Sequence, residues 1–209
     1  MLSRSSFLRL ATASIAMPLL RLAHADEPQA ISRDTIFNDP DAPVAGNPEG
    51  DVTIVDFFDY NCPYCKTSAP SLEKLVKADG RIRLIYKDWP ILTETSVFGA
   101  QLALGAKYQN KYLEAHHALM NVPGYGISAD AMRAAVRGAG VDMDRLQADV
   151  QMHGETILDL LKRNLGIADA IGLQGTPGFL IGPFKVNEAL NYEGFRHAVA
   201  DARARNAGK

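Results

Sequence analysis

The chain has 209 residues, with 22 lysines and arginines against 24 aspartates and glutamates. That is long enough for one sizeable core, and the lack of a basic surplus, basic run or aromatic-basic interleaving argues against nucleic acid as a partner. Two cysteines are too few for a disulfide-built scaffold, and no internal repeat or low-complexity tract appears.

Residues 1–25 read as an export signal. Arg4 and Arg9 make a positive start, an apolar stretch runs from Leu10 to Leu20, and Ala23-His24-Ala25 supplies a small-x-small cleavage site. The apolar stretch is about half of the ~20 residues a membrane-spanning helix needs. Cleavage after Ala25 and a mature form without a membrane span are therefore expected; a retained amphipathic N-terminal helix is the alternative. Three arginines leave with the signal and no acids do, so 19 basic and 24 acidic side chains remain, a net charge near −5. Export places the cysteines outside the reducing cytosol.

Residues 26–50 are polar, carry Pro28, Pro40, Pro43 and Pro48, and are expected as an extended lead-in. Val52–Phe58 is apolar on both faces, which predicts a central strand. A helix is predicted from Cys62 through Leu72, Leu75 and Val76, ending at Asp79-Gly80 with Gly80 as a left-handed cap. Pro70 lies inside it and should kink the axis. Residues 81–87 alternate as a second strand that Pro90 stops. Residues 93–171 have helical spacing: one or two helices over 97–120, one from Ser128 to near Gly138, a short one from Asp142 or Asp144, and a last one marked by Ile157, Leu161 and Leu165. Phe179–Ile181 and Phe184–Val186 predict a hairpin through Gly182-Pro183, and Asn191 caps a final helix carrying Phe195 and Val199.

The chemistry concentrates where the first strand meets the first helix, at Cys62-Pro63-Tyr64-Cys65. A cysteine at a helix start meets unpaired N–H groups and the positive dipole end, which favour its thiolate. Cys65 lies one turn along the same face, within disulfide reach, and Pro63 fits the first turn. Cys62 is expected to be the exposed nucleophile and Cys65 the more buried resolving thiol. A purely structural disulfide is poorly served by so small a ring, worth roughly 2 kcal/mol against about 4.7 for a 100-residue loop. A zinc site lacks a second Cys-x-x-Cys and any finger-like histidine spacing. His116 and His117 read as surface or satisfied buried residues, Trp89 and Phe98 as core, and no metal is expected.

Three positions add to the pair: Asp56, an acid in an apolar strand six residues before Cys62; Pro70; and Thr176-Pro177 before an apolar strand. In this order they resemble the DsbA-like thiol–disulfide oxidoreductases. The resemblance implies an α/β thioredoxin fold over 51–92 and 172–209 with an all-helical insertion at 93–171. It implies a cis Pro177 facing the cysteines, Thr176 and Pro177 as the substrate-binding edge, and Asp56 as a buried acid that accepts the Cys65 proton. Lys87 is a candidate partner for Asp56. Pro63 and Tyr64 would tune the potential: the strongest oxidants of the family have histidine second, so the expectation is a weaker oxidant than roughly −120 mV, still above about −270 mV.

The implied function is exchange of disulfides with secreted or periplasmic proteins, in the direction of a dithiol oxidase. Unfolded or reduced secreted proteins would be the substrates, a membrane or periplasmic redox partner would reset the site, no cofactor is needed, and a monomer is expected in the periplasm. An isomerase or reductase of the same fold is the nearest alternative. A redox-inert binding or chaperone module and a kappa-type glutathione enzyme are more distant, the latter having no use for Cys65.

Overall fold

The computed structural model describes residues 31–208, so the export signal expected over 1–25 lies outside the described residues. The run apolar on both faces is strand β2 (Val52–Phe58), at the middle of a five-stranded sheet. Its neighbours are β3 (Ile82–Asp88), parallel to it, and β4 (Gly178–Ile181), antiparallel. Strands β1 (Val44–Gly46) and β5 (Phe184–Val186) form the two edges, in the order β1-β3-β2-β4-β5. The parallel step from β2 to β3 needs a crossover, and helix α2 (Pro63–Asp79) supplies it. Gly80 closes α2 in the left-handed region, φ 70°, as its position predicts. Pro70 stands inside α2, which continues to Asp79.

The pleat divides β2 between two layers. Ile54 and Phe58 face a core shared with Leu72 and Leu75 of α2, Leu84 and Tyr86 of β3, and Phe195 and Val199 of the final helix, α7 (Tyr192–Ala207). Val55 and Phe57 face the other way, against Ile85, Trp89, Ile167, Ala168 and Leu173. Between β3 and β4 the chain is helical: α3 (Glu94–Ala106), a 3-10 turn at Lys107–Gln109, α4 (Tyr112–Met120), α5 (Ala129–Gly138) and α6 (Met143–Ala170).

Two segments differ from expectation. The lead-in is not simply extended: Arg33–Phe37 form a short helix, α1, capped by the Ser32 hydroxyl, and Val44–Gly46 pair with β3. Buried and half-buried charges explain its folding. Lys87 reaches Asp39 at 3.6 Å, and Arg163 binds Asp39 at 3.0 Å and Asp41 at 2.7 Å, fastening the segment over the second layer. The short helix expected from Asp142 or Asp144 and the last helix are one 28-residue helix, α6: no proline interrupts the run, and Leu146 and Val150 of its first half pack on the core. Its buried residues are Leu146, Ile157, Leu160, Leu161, Asn164, Ile167 and Ala168; Leu165, expected on that stripe, is exposed.

Candidate active site

After β2 the chain leaves the sheet through Asp59, Tyr60 and Asn61, and all three are buried. The Asp59 carboxylate accepts from the backbone N–H of Asn61 (2.7 Å), Ile91 (2.8 Å) and Leu92 (3.0 Å), fastening the turn to the loop after β3. Asn61 fastens it to the helical region: its carbonyl accepts from Ile127 N–H at 2.8 Å, and its amide donates to Thr93, Thr95 and Ser96. Cys62, between this turn and α2, is the helix N-cap, with Pro63 next at the first helical position. The turn is rigid on both sides, so the sulfur is held at the helix end.

The Cys62 Sγ accepts the Cys65 backbone N–H at 3.4 Å and lies 3.2 Å from the Thr176 carbonyl oxygen, to which its thiol donates. The Thr176–Pro177 peptide bond is cis. The Thr176 hydroxyl is buried without a hydrogen-bond partner. Gly178 has no side chain because Leu173 fills the space: a Cβ there would meet two Leu173 methyls at 2.9 Å. Among the described residues both cysteines are free thiols.

Cys62 is only 2 % exposed, the same as Cys65, which corrects the expectation of an exposed nucleophile. The Thr176–Pro177 loop covers it, while the Tyr64 side chain stands 67 % exposed beside it. The two sulfurs differ in charge preference instead. A hydrogen bond from the Cys65 thiol, with the backbone N–H groups of Cys65 and Tyr64 beside it, holds Cys62 down at about 6 against the cost of burial. Burial, then the neighbouring Cys62, pushes Cys65 well above the usual thiol range. The arrangement presents one thiolate and one retained thiol, the requirement for directional exchange.

Asp56 is 4 % exposed, on the β2 face that packs against α2, and one of its carboxyl oxygens has no hydrogen-bond partner. Burial first, then the negative charges of Asp88 and Cys62, raise it well above the carboxylate range. Lys87 is not its partner. The register sets Asp56 beside Tyr86, so the pleat points Lys87 to the opposite layer, toward Asp39. His116 is buried and its Nδ1 meets the Tyr60 hydroxyl at 3.1 Å, while His117 pairs with Glu73 at 3.2 Å. Trp89 is core. Phe98 packs half-buried against the core.

Sequence reasoning missed three residues. Asn61 bridges turn and helical region. Lys66, one residue after Cys65, donates to the Val122 carbonyl and to that of Gly124 at 3.2 Å, tying α2 to the loop before α5. Asp88 is a second buried acid on the Asp56 side of the sheet. Its signal was available: an acid ending an apolar strand, one residue out of phase with Lys87.

A sequence model of the thioredoxin family matches residues 38–201. A thioredoxin-like oxidoreductase from Silicibacter pomeroyi is 41 % identical, with a TM-score of 0.77, over 83 % of this chain and 99 % of that one. A periplasmic thioredoxin-like protein from Salmonella enterica serovar Typhimurium is 31 % identical, with a TM-score of 0.72, over 82 % of this chain and 95 % of that one. The thiol-disulfide exchange protein alpha-DsbA2 from Wolbachia pipientis is 28 % identical, with a TM-score of 0.75, over 80 % and 90 %. Among curated proteins, an Na(+)/H(+) antiporter NhaA 3 from Salinispora tropica is 29 % identical over 173 residues, 79 % of this chain; the chain spans only 26 % of that relative's length. No helix among the described residues is long and apolar enough to cross a membrane. The acid, the cysteine pair at a helix N-terminus and the cis-proline loop over it, together with these likenesses, identify the chain as a member of the thioredoxin family, in its DsbA-like thiol–disulfide oxidoreductase branch.

Proposed function

We propose that the chain is an exported thiol–disulfide oxidoreductase that exchanges disulfides with secreted or periplasmic proteins through Cys62-Pro63-Tyr64-Cys65, chiefly as a dithiol oxidase. The observation that carries the reading is the unequal sulfur pair under the cis-proline loop: Cys62 favoured as thiolate, Cys65 as thiol. A stabilised thiolate is a good leaving group and stabilises the reduced protein, so the disulfide form is an oxidant. Cys62 is the nucleophile and the atom attacked by substrate; Cys65 resolves; Asp56 manages the Cys65 proton.

Thr176 and Pro177 are the substrate edge. Proline has no N–H, which leaves neighbouring backbone groups free to pair with an extended peptide. Tyr64, Ile91, Leu92 and Tyr125 are exposed, and the last three belong to the loops that Asp59 and the Leu92 carbonyl hold beside the site. An apolar rim of this kind suits unfolded chains. The export signal read in residues 1–25 and the periplasmic Salmonella likeness support a periplasmic location. A separate redox protein resets the site. The folded unit we propose is a thioredoxin domain over 51–92 and 172–209 interrupted by the helices of 93–171.

Reduced, unfolded ribonuclease tests both parts. The disulfide form should restore ribonuclease activity stoichiometrically, and Cys62→Ser should abolish it. Faster rescue of scrambled ribonuclease than oxidation of reduced ribonuclease would reassign the protein as an isomerase, and full activity in Cys62→Ser would reject thiol chemistry altogether.

A further inference from the structure

Behind the cysteines lies a buried polar group that the exchange reaction as described leaves unused. Asp88 ends β3 and is 1 % exposed. Its Oδ2 accepts from the Tyr112 hydroxyl at 3.0 Å, and its Oδ1 has no partner. The parallel register pairs Asp56 with Tyr86 and Phe58 with Asp88, so the two carboxyls lie on one face of the sheet, one pleat apart on adjacent strands. Each has one buried oxygen without a hydrogen bond. Among the described residues no cation pairs with them: Lys87 and Arg163 serve Asp39 in the other layer, and burial holds His116 neutral, down at about 3. The other titratable groups facing the pair are Cys62, Cys65 and Glu73 of α2 and its N-cap, Asp59 and Tyr60 of the turn, Tyr86 of β3, and Tyr112 and His116 of α4.

We infer that Asp88 is a positioning residue for the thiol chemistry: it forms a coupled carboxyl pair with Asp56, in which Asp88 carries the charge and Asp56 keeps the single proton behind Cys65. The inference rests on the thiol–disulfide reading of Cys65. Two adjacent carboxyls in a low-dielectric layer cannot both ionise near neutrality. The asymmetry comes from the hydroxyls. Burial raises Asp88 to about 7, with Tyr112 and Tyr60 opposing that rise, whereas nothing comparable lowers Asp56. Asp88 therefore ionises first, and its charge makes Asp56 hold its proton.

The proton has a use. When a substrate thiolate attacks Cys62 Sγ in the disulfide form, the Cys62–Cys65 bond breaks and its electron pair leaves on Cys65. The Asp56 proton moves to that sulfur, leaving a carboxylate. A second substrate thiolate attacks the substrate sulfur of the mixed disulfide, and the pair leaves on Cys62 as thiolate. Two electrons have passed from substrate to protein, and one solvent proton restores Asp56.

The test uses the disulfide form, in which no thiol titrates, labelled with carboxyl-13C aspartate and followed by NMR against pH. Asp88→Asn should lower the Asp56 midpoint by about one unit or more, the least that counts as coupling. Asp56→Asn should leave the Asp88 midpoint in place, since its partner was already neutral. Tyr112→Phe, which removes one hydroxyl and little volume, should raise the Asp88 midpoint. An Asp56 midpoint unmoved in Asp88→Asn overturns the pair. A shift of a unit or more in Asp88 on Asp56→Asn, or none on Tyr112→Phe, overturns the assignment of charge to Asp88. The titration needs no turnover, so failure of the pair is separable from failure of the thiol reading, which Cys62→Ser decides.

Discussion

At the scale of single residues, the decisive quantity is the acidity of Cys62. With its thiol held at about 6, roughly nine-tenths of it is ionised at pH 7, against a few per cent for a free cysteine. Titration of the reduced protein by thiolate absorbance should therefore show one transition near pH 6, lost in Cys62→Ser, with Cys65 silent through neutrality. Tyr64 permits a second measurement. It is exposed beside the sulfur and carries no charge, so Tyr64→His adds a cation without disturbing the core. The equilibrium constant with glutathione should move toward the reduced protein by roughly tenfold, the effect of about 1.4 kcal/mol on the thiolate. No movement would show that the dipeptide leaves the potential to other groups. The cysteine pair and Pro63 were legible because each answers a local requirement, a helix start and a missing donor, whereas the cis bond at Pro177 was expected only from the family resemblance. The depth of Cys62 was not legible, because the Thr176–Pro177 loop that covers it arrives from more than a hundred residues away.

Elements explain why the site holds its shape. Asn61 is fully buried and spends its carbonyl on Ile127 and its amide on Thr93, Thr95 and Ser96, so one side chain joins the turn before α2 to the start of α3 and the loop before α5. Asn61→Ala leaves the buried Ile127 N–H without an acceptor and takes away the donor that the Thr93, Thr95 and Ser96 hydroxyls share. A loss of about 2–3 kcal/mol is expected, since one stranded buried group costs roughly 1–3. Urea melts check the stability, and the thiolate titration should shift upward in the same variant as the helix start loosens. An unchanged melt would mean that Lys66 and its two carbonyl contacts carry the junction alone. Strands and helices were readable from periodicity and caps: Ser128, Asn191 and Gly80 act as their types dictate. Two features escaped for one reason. Residues 33–46 fold because Lys87 and Arg163 need Asp39 and Asp41, and α6 stays whole because it packs along its length; both depend on partners distant in sequence.

For the whole molecule, the redox state and the stability of the fold are linked through Cys62. Its acidity is depressed in the folded protein, from 9.0 to about 6, so its contribution is fully present above the unfolded value and is lost as pH falls through 6. The window is thus pH 6 to 9, and three units correspond to about 4 kcal/mol at most. The disulfide form has no such group. Asp88 works in the opposite direction: raised from 3.8 to about 7, it favours the fold at low pH and loses that contribution as pH rises through 7, but it is present in both redox forms. Subtracting the two stability curves therefore largely isolates the thiols. Urea denaturation of both forms at half-unit steps should show the reduced protein gaining on the oxidised one continuously from pH 6 to 9. A thermodynamic cycle makes this gain equal to the pH-dependent loosening of the disulfide in the folded state relative to the unfolded chain, so it must also appear in the glutathione equilibrium. Parallel stability curves for the two forms would mean that the Cys65 thiol and the helix end do not hold a thiolate, and the unequal sulfur pair on which directional exchange depends would not exist.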